Sequence, residues 1–188
     1  EAAAEEIRGL GRRALAVSTD VTEPDQVDAL IERTTHEMGK VDIMVANSGG
    51  GSSPKLEDIT LEDWEKQMRL NLSSAFLCDV SAGKAMIAQG TGGRIINISS
   101  TAGINLNPGL PAYAAAKAGM ISCTKSLALS WAGEGINVNC VAPGFTATEG
   151  IRKAGYVPSD TRKDGTKVPP LLMPNEPEHV ANVAVFLA

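Results

Sequence analysis

Tyr113 and Lys117 stand four residues apart in Ala-Tyr-Ala-Ala-Ala-Lys-Ala, a run of strong helix formers, so both side chains leave the same face of a helix. A phenol titrating at about 10 is a poor proton donor or acceptor at neutral pH, but an ammonium within about 4 to 6 Å favours the phenolate and pulls that value down. A tyrosine tuned in this way suits the alcohol/carbonyl pair as a general acid and base. A serine hydroxyl close by can hold the substrate oxygen as charge develops on it. Ser99 and Ser100 close the β-branched run Arg94–Ile98, at the carboxyl edge where open α/β sheets place their ligands. Asn47 ends another such run, Asn71 interrupts an apolar helical stretch, and Pro143-Gly144 closes the last run at the same edge. Tyr-x-x-x-Lys alone is a cheap pattern. So many polar groups gathered at one edge read as a site, because buried polar groups need partners.

The elements that must hold these residues are legible from apolar periodicity. Nearly continuous Val, Ile and Ala runs at Ala14–Ser18, Val41–Ala46, Arg94–Ile98 and Ile136–Val141 predict strands buried on both faces. Helical segments alternate with them. Thr22 with Asp25, and Pro24 in the first turn, opens one; Thr60 with Asp63 opens a second that carries Trp64, Met68 and Leu72 and runs to Gln89. A third, rich in Ala, Gly and Ser, starts near Pro111, and a fourth opens at Asn175, Pro177 and Glu178. This alternation predicts an α/β fold, a three-layer doubly wound parallel sheet forming one domain over 1–188. Residues 146–178 break the rhythm with several prolines and a basic cluster, and read as a solvated excursion or a cover over the site.

Composition excludes several function classes. The 188 residues are 43% hydrophobic and 21% charged, with a net charge of -5 and a pI near 5.1, which argues against a nucleic-acid footprint or an anionic membrane surface as the main partner. Cys78, Cys123 and Cys140 form neither a Cys-x-x-Cys pair nor a Cys/His spacing, so no metal site is predicted and a reducing, cytoplasmic setting fits. There is no apolar run of transmembrane length. Gly9, Gly11 and Ala14 spell G-x-G-x-x-A, but a helical segment precedes them and a strand follows, the reverse of what a phosphate-binding turn requires. They read as a helix C-terminus. Gly49–Gly51 follow a strand and could let backbone approach a ligand, though a plain strand-exit turn explains them almost as well.

Taken together, Asp20-Val21, Asn47-Ser48-Gly49-Gly50, Asn71 in Leu-Asn-Leu-Ser, Ile98-Ser99-Ser100, Tyr113-Ala-Ala-Ala-Lys117 and Pro143-Gly-Phe-Thr-Ala-Thr148 resemble the classical short-chain dehydrogenase/reductase family, notably its 3-oxoacyl-carrier-protein reductase-like members. The likeness runs the length of the chain. Ser48 and Gly50 depart from the family's Asn-Asn-Ala-Gly, while both stay small. The family's spacing puts its serine thirteen residues before the tyrosine, which picks Ser100 over Ser99.

The resemblance implies a Rossmann-like domain using NAD or NADP to interconvert a hydroxyl and a carbonyl on a small-molecule substrate. Tyr113 would be the acid/base; Lys117 would tune it and hold the nicotinamide ribose. Ser100 would orient the carbonyl, and Asn71 would keep a water in the relay behind Lys117. Asp20 and Val21 would line the adenine, Asn47, Ser48 and Gly49 the adenosine ribose, and Pro143, Gly144, Thr146 and Thr148 the nicotinamide amide and pyrophosphate. It further implies that the family's first βαβ unit and last strand lie outside this chain, that 146–178 is a substrate lid, and that the protein is a homodimer or homotetramer with no nucleic-acid or membrane partner. Tyr156, Val157, Leu171, Leu172 and Met173 could line an apolar pocket. Three rivals stay open: a non-catalytic binding or assembly relative, a relative performing dehydration or epimerisation, and a hydrolase using Ser100. The hydrolase lacks a G-x-S-x-G elbow, and His36 and His179 sit at charged helical positions.

Overall fold

The computed structural model describes residues 1–51, 54–105, 109–169 and 173–188. Its elements run α1 (Ala2–Gly9), α2 (Pro24–Met38), β1 (Ile43–Ala46), α3 (Leu61–Met68), α4 (Ser74–Gln89), β2 (Gly93–Ile98), α5 (Pro111–Trp131), β3 (Ile136–Val141), α6 (Glu149–Lys153) and α7 (Pro177–Leu187). The three strands form a parallel sheet in the order β1-β2-β3, with Met44 opposite Ile95 and Ile96 opposite Asn139. Ile95 and Ile96 point to opposite faces and both are fully buried, so β2 is covered on both sides. Met86 and Ala82 of α4 join Ile95, Ile136 and Val138 in one core cluster, and Val27, Ala46, Ala75 and Met120 form a second. This is the expected α/β architecture.

Ala14–Ser18 departs from expectation. It carries the apolar run of a strand, yet among the described residues no segment pairs with it. A strand exists only through its ladder, and β propensity without a neighbour leaves extended coil. β1 departs too: Ile43 (48%) and Val45 (44%), which share one face of the strand, are exposed, so β1 is not buried on both faces as expected. Helix starts moved slightly. Glu23, not Thr22, precedes α2, because Thr22 is held in a turn by Asp20; and Glu176, not Asn175, precedes α7, because Asn175 pairs with Phe145 and Ala147 instead. The Thr60/Asp63 capping box forms as predicted. Gly11, at φ +74°, closes α1 by donating its N–H to the Arg8 carbonyl at 2.9 Å, so the glycine pair lies at a helix C-terminus, as its sequence context predicts.

One break matters for the site. The long helix expected from Thr60 to Gln89 opens into a π turn at Arg69–Ser73, between α3 and α4. Such widened turns often mark functional positions. Asn71 lies at its centre, fully buried.

Candidate active site

β2 runs directly into Ser99 and Ser100, and its ladder continues one step further where the Ser99 N–H donates to the Val141 carbonyl at 2.7 Å. The two serines then divide. Ser99 is buried and spends its hydroxyl on the Lys117 carbonyl at 2.8 Å, tying the strand end to α5. Ser100 caps the short turn Thr101–Gly103, accepting from the Ala102 N–H at 3.1 Å, and its hydroxyl lines an open cavity.

α5 brings the pair. Tyr113 lies in its first turn, half-buried, on the wall of that cavity. Lys117, one turn on, is 3% exposed; its ammonium donates to the Ile98 carbonyl at 2.8 Å and sits 5.8 Å from the centre of the Tyr113 ring. Burial lowers this ammonium from 10.5 to about 8, because water no longer solvates the charge; the nearby Cys140 thiol acts weakly the other way. One of three Lys117 donors is used among the described residues, which leaves two for a ligand.

The cavity is about 580 Å³ and also takes in Gly51, Thr101, Ala102, Asn105, Leu110, Pro143, Gly144, Phe145, Thr146 and Ile151. A second, smaller cavity of about 160 Å³ is lined by Val21, Leu30, Asn47 and Ser48 with the ends of β1 and α4. The glycine run lies between them. Asn71 fixes this run: its side chain accepts from the Gly50 N–H at 2.9 Å and donates to the Gly50 carbonyl at 3.0 Å and to Gln67 at 3.1 Å. A Cβ at Gly49 would come within 2.7 Å of Asn71 Oδ1 and 3.4 Å of Lys117 Nζ, so only glycine allows this approach.

The structure therefore gathers Ser100, Tyr113, Pro143, Gly144 and Thr146 on one cavity, Val21, Asn47 and Ser48 on the other, with Lys117, Asn71 and Gly49 packed between. Two expected residues stand apart. Asp20 is exposed and its carboxylate accepts from the Thr22 N–H and hydroxyl, which hold it below the usual carboxylate range; Thr148 caps α6. The side-chain amide of Asn71 is engaged by Gly50 and Gln67, so its hold is on the loop. Tyr156 is 70% exposed and off the cavity; Val157 and Met173 are half-buried and do not line it either; Leu171 and Leu172 lie outside the described residues. The apolar wall comes instead from Leu110, Phe145 and Ile151. Phe145 lay inside a quoted motif and Leu110 just before Pro111, but nothing in their spacing distinguished a lining residue from an ordinary loop one. His36 and His179 are exposed, and His179 accepts from the Glu176 N–H at 3.2 Å at the start of α7.

A family model described as short chain dehydrogenase matches residues 1–155. The chain belongs to the short-chain dehydrogenase family. It is 40% identical over 188 residues to a 3-oxoacyl-[acyl-carrier-protein] reductase of Synechocystis, spanning 100% of this chain and 73% of that protein. It is 39% identical over 184 residues to a cis-4-hydroxycyclohexanecarboxylate dehydrogenase of Sinomonas cyclohexanicum, covering 97% of this chain and 72% of that one. The crystal structure of a short-chain type dehydrogenase/reductase from Mycobacterium marinum superposes with a TM-score of 0.88 at 33% identity, covering 100% of this chain and 73% of that one. This short-chain dehydrogenase is thus an oxidoreductase of the class that works with a nicotinamide cofactor. Its residues fit such a group: two cavities flank a glycine run in which Gly49 has no room for a Cβ, and a buried ammonium with donors to spare lies between them. Among the described residues no helix is long and apolar enough to cross a membrane, and no cluster could hold a metal ion.

Proposed function

We propose that this protein interconverts a secondary hydroxyl and a carbonyl on a small molecule, drawing on NAD or NADP, with Tyr113 as the acid/base. The observation that carries the reading is the buried Lys117 ammonium 5.8 Å from the Tyr113 ring, on the cavity that also holds Ser100. The relatives named above are a reductase of an oxo compound and a dehydrogenase of a hydroxy compound, which supports reaction at a hydroxyl or oxo carbon.

Bound nicotinamide would supply hydride to the carbonyl carbon or accept it from the carbinol. The chain's own residues do the rest. The Ser100 hydroxyl donates to the carbonyl oxygen and fixes its direction. The Tyr113 hydroxyl gives that oxygen a proton in reduction and takes it back in oxidation, and the Lys117 cation stabilises the phenolate left behind. Asn71 holds Gly49 and Gly50 against Lys117, shaping the backbone on which the cofactor would lie. Lys117 and Tyr113 would face its nicotinamide ribose, Val21, Asn47 and Ser48 its adenosine part, and Pro143, Gly144 and Thr146 its amide. The segment 146–178 would act as the lid. A homodimer or homotetramer belongs to the same reading, since Phe76 of α4 and Leu129 of α5 are exposed apolar side chains that a second copy could cover.

The test is to follow reduced nicotinamide optically with panels of ketones and secondary alcohols, using each cofactor in turn. Turnover that Tyr113→Phe abolishes supports the reading; turnover that survives it defeats the assignment.

A further inference from the structure

We propose that the substrate is an uncharged ketone or secondary alcohol with hydrocarbon flanking the reacting carbon, selected by an apolar wall of Leu110, Phe145 and Ile151. The inference rests on the oxidoreductase reading and narrows it to a substrate class.

These three side chains line the same cavity as Tyr113 and Ser100. Phe145 lines that cavity and is 50% exposed, and an exposed aromatic residue lining a concave site favours an apolar occupant. Leu110 lines the cavity beside Gly51, where an added Cβ would come within 3.1 Å of Leu110 Cδ1 and 3.3 Å of Tyr113 Cγ, so the leucine packs near the base of the tyrosine ring.

The polar groups of the cavity are neutral, and several are spent. Ser99 gives its hydroxyl to Lys117, and Thr146 gives its own to the Gly144 carbonyl at 3.1 Å. Ser100 and Tyr113 are needed at the reacting oxygen. None of the described lining residues carries a charge, and the eight positions outside the described residues are Ser, Leu, Asn and Pro by sequence. The cations next to the wall are occupied: Arg152 donates to the Ala147 carbonyl at 3.0 Å and to both oxygens of Glu176, and Lys153 pairs with Glu149. A carboxylate placed against Leu110, Phe145 and Ile151 would give up water with no cation among the described lining residues to pair with, a loss that a neutral group of the same shape avoids.

The experiment pairs 4-methylcyclohexanone with 4-oxocyclohexanecarboxylate, which share a ring and differ by one charge. Binding to the purified protein is read by saturation-transfer NMR with NAD(H) or NADP(H) present, and turnover is read optically. The neutral ketone is expected to bind at least about tenfold more tightly and to exceed the carboxylate about 100-fold in kcat/KM. Equal or tighter binding of the carboxylate overturns the proposal. Preferential binding of the neutral ketone without hydride transfer upholds the pocket assignment and defeats the catalytic reading instead. Ile151→Arg supplies the missing cation and is expected to narrow the preference about tenfold; a folded variant with an unchanged ratio would remove Ile151 from the wall.

Discussion

The Asn97 side-chain amide donates to Asp79 Oδ2 at 2.8 Å behind the sheet, while the remaining oxygens of the two side chains, Asp79 Oδ1 and Asn97 Oδ1, are both buried without a partner among the described residues. Each side chain is about 1% exposed. Two orphaned acceptors in one pair are resolved by a proton: protonated at Oδ1, Asp79 becomes a donor and Asn97 Oδ1 an acceptor available to it. Burial acts in the same direction, raising the Asp79 carboxyl from 3.8 to about 7 against the opposing bond from Asn97. The Cys78 thiol beside it is pushed up to about 11, so it stays neutral, and Thr124 donates to the Met120 carbonyl while accepting from Asn97.

The consequence is a pH dependence of stability with a definite sign. Between the unfolded value of 3.8 and the folded value of about 7 the native state keeps a proton that the unfolded chain has lost, so Asp79's contribution is full below that window and declines as pH rises through it. The total is at most about 4 kcal/mol. Asp79→Asn places an amide donor opposite Asn97 Oδ1 without an ionisation. It should raise the melting temperature at about pH 8 by several degrees and flatten the slope between about pH 4 and 7. Thermal melts across that range check it, and a lower melting point for the variant at pH 8 would show that Asp79 is needed as a carboxylate.

Tyr113→Phe isolates the phenol. Among the described residues the Tyr113 hydroxyl makes no hydrogen bond to protein, so its loss leaves no buried partner behind. The variant should keep its melting temperature within about 1 °C and its cofactor affinity near normal while kcat falls by about two to four orders of magnitude. Stopped-flow kinetics together with calorimetric cofactor titration separate these effects; loss of cofactor binding would assign the residue to binding.

What the sequence disclosed of this site was the part written in local chemistry. The Tyr113/Lys117 spacing followed from helical geometry alone, and β2 and β3 from continuous Ile and Val runs, because both signals live within a few residues. Ala14–Ser18 carried the same local signal and failed, since pairing is decided by a neighbour that local sequence does not contain. The Asn71 turn was hidden for a related reason: a π turn leaves the helical pattern of apolar residues nearly intact, and only its bonds to Gly50 and Gln67 reveal it. The apolar wall was missed because Leu110 precedes α5, Phe145 follows β3 and Ile151 lies in α6, and their meeting is tertiary.

On the proposed mechanism, Lys117 should give the activity profile an alkaline limit. Its ammonium, lowered by burial to about 8, loses its proton above that value and with it the stabilisation of the phenolate. kcat/KM should therefore fall with an apparent pKa near 8, while folding stability moves oppositely: between about 8 and 10.5 the unfolded chain holds a proton that the native one has released, so stability rises with pH there. Lys117→Met should lower kcat by at least about 100-fold and erase the alkaline limb. A rate profile with the limb intact in the variant would move this titration to another group.

Gly103 tests whether the Ser100 turn must rest on α5. A Cβ there would lie 2.7 Å from the Ala118 backbone nitrogen and 2.7 Å from the Lys117 carbonyl carbon, contacts with backbone that no rotamer can relieve. Gly103→Ala must therefore push the Thr101–Gly103 turn away from α5, and with it the Ser100 hydroxyl that caps that turn. The expected cost is about 1 to 3 kcal/mol of stability from overpacking. Because Ser100 moves relative to Tyr113, kcat/KM should drop by about 100-fold even in the fraction that folds. Gly133, where an added Cβ meets nothing within 4 Å, is the matched control, and Gly133→Ala should leave both quantities near the parent. Equal behaviour of the two variants would mean that the turn can shift without disturbing the catalytic hydroxyl.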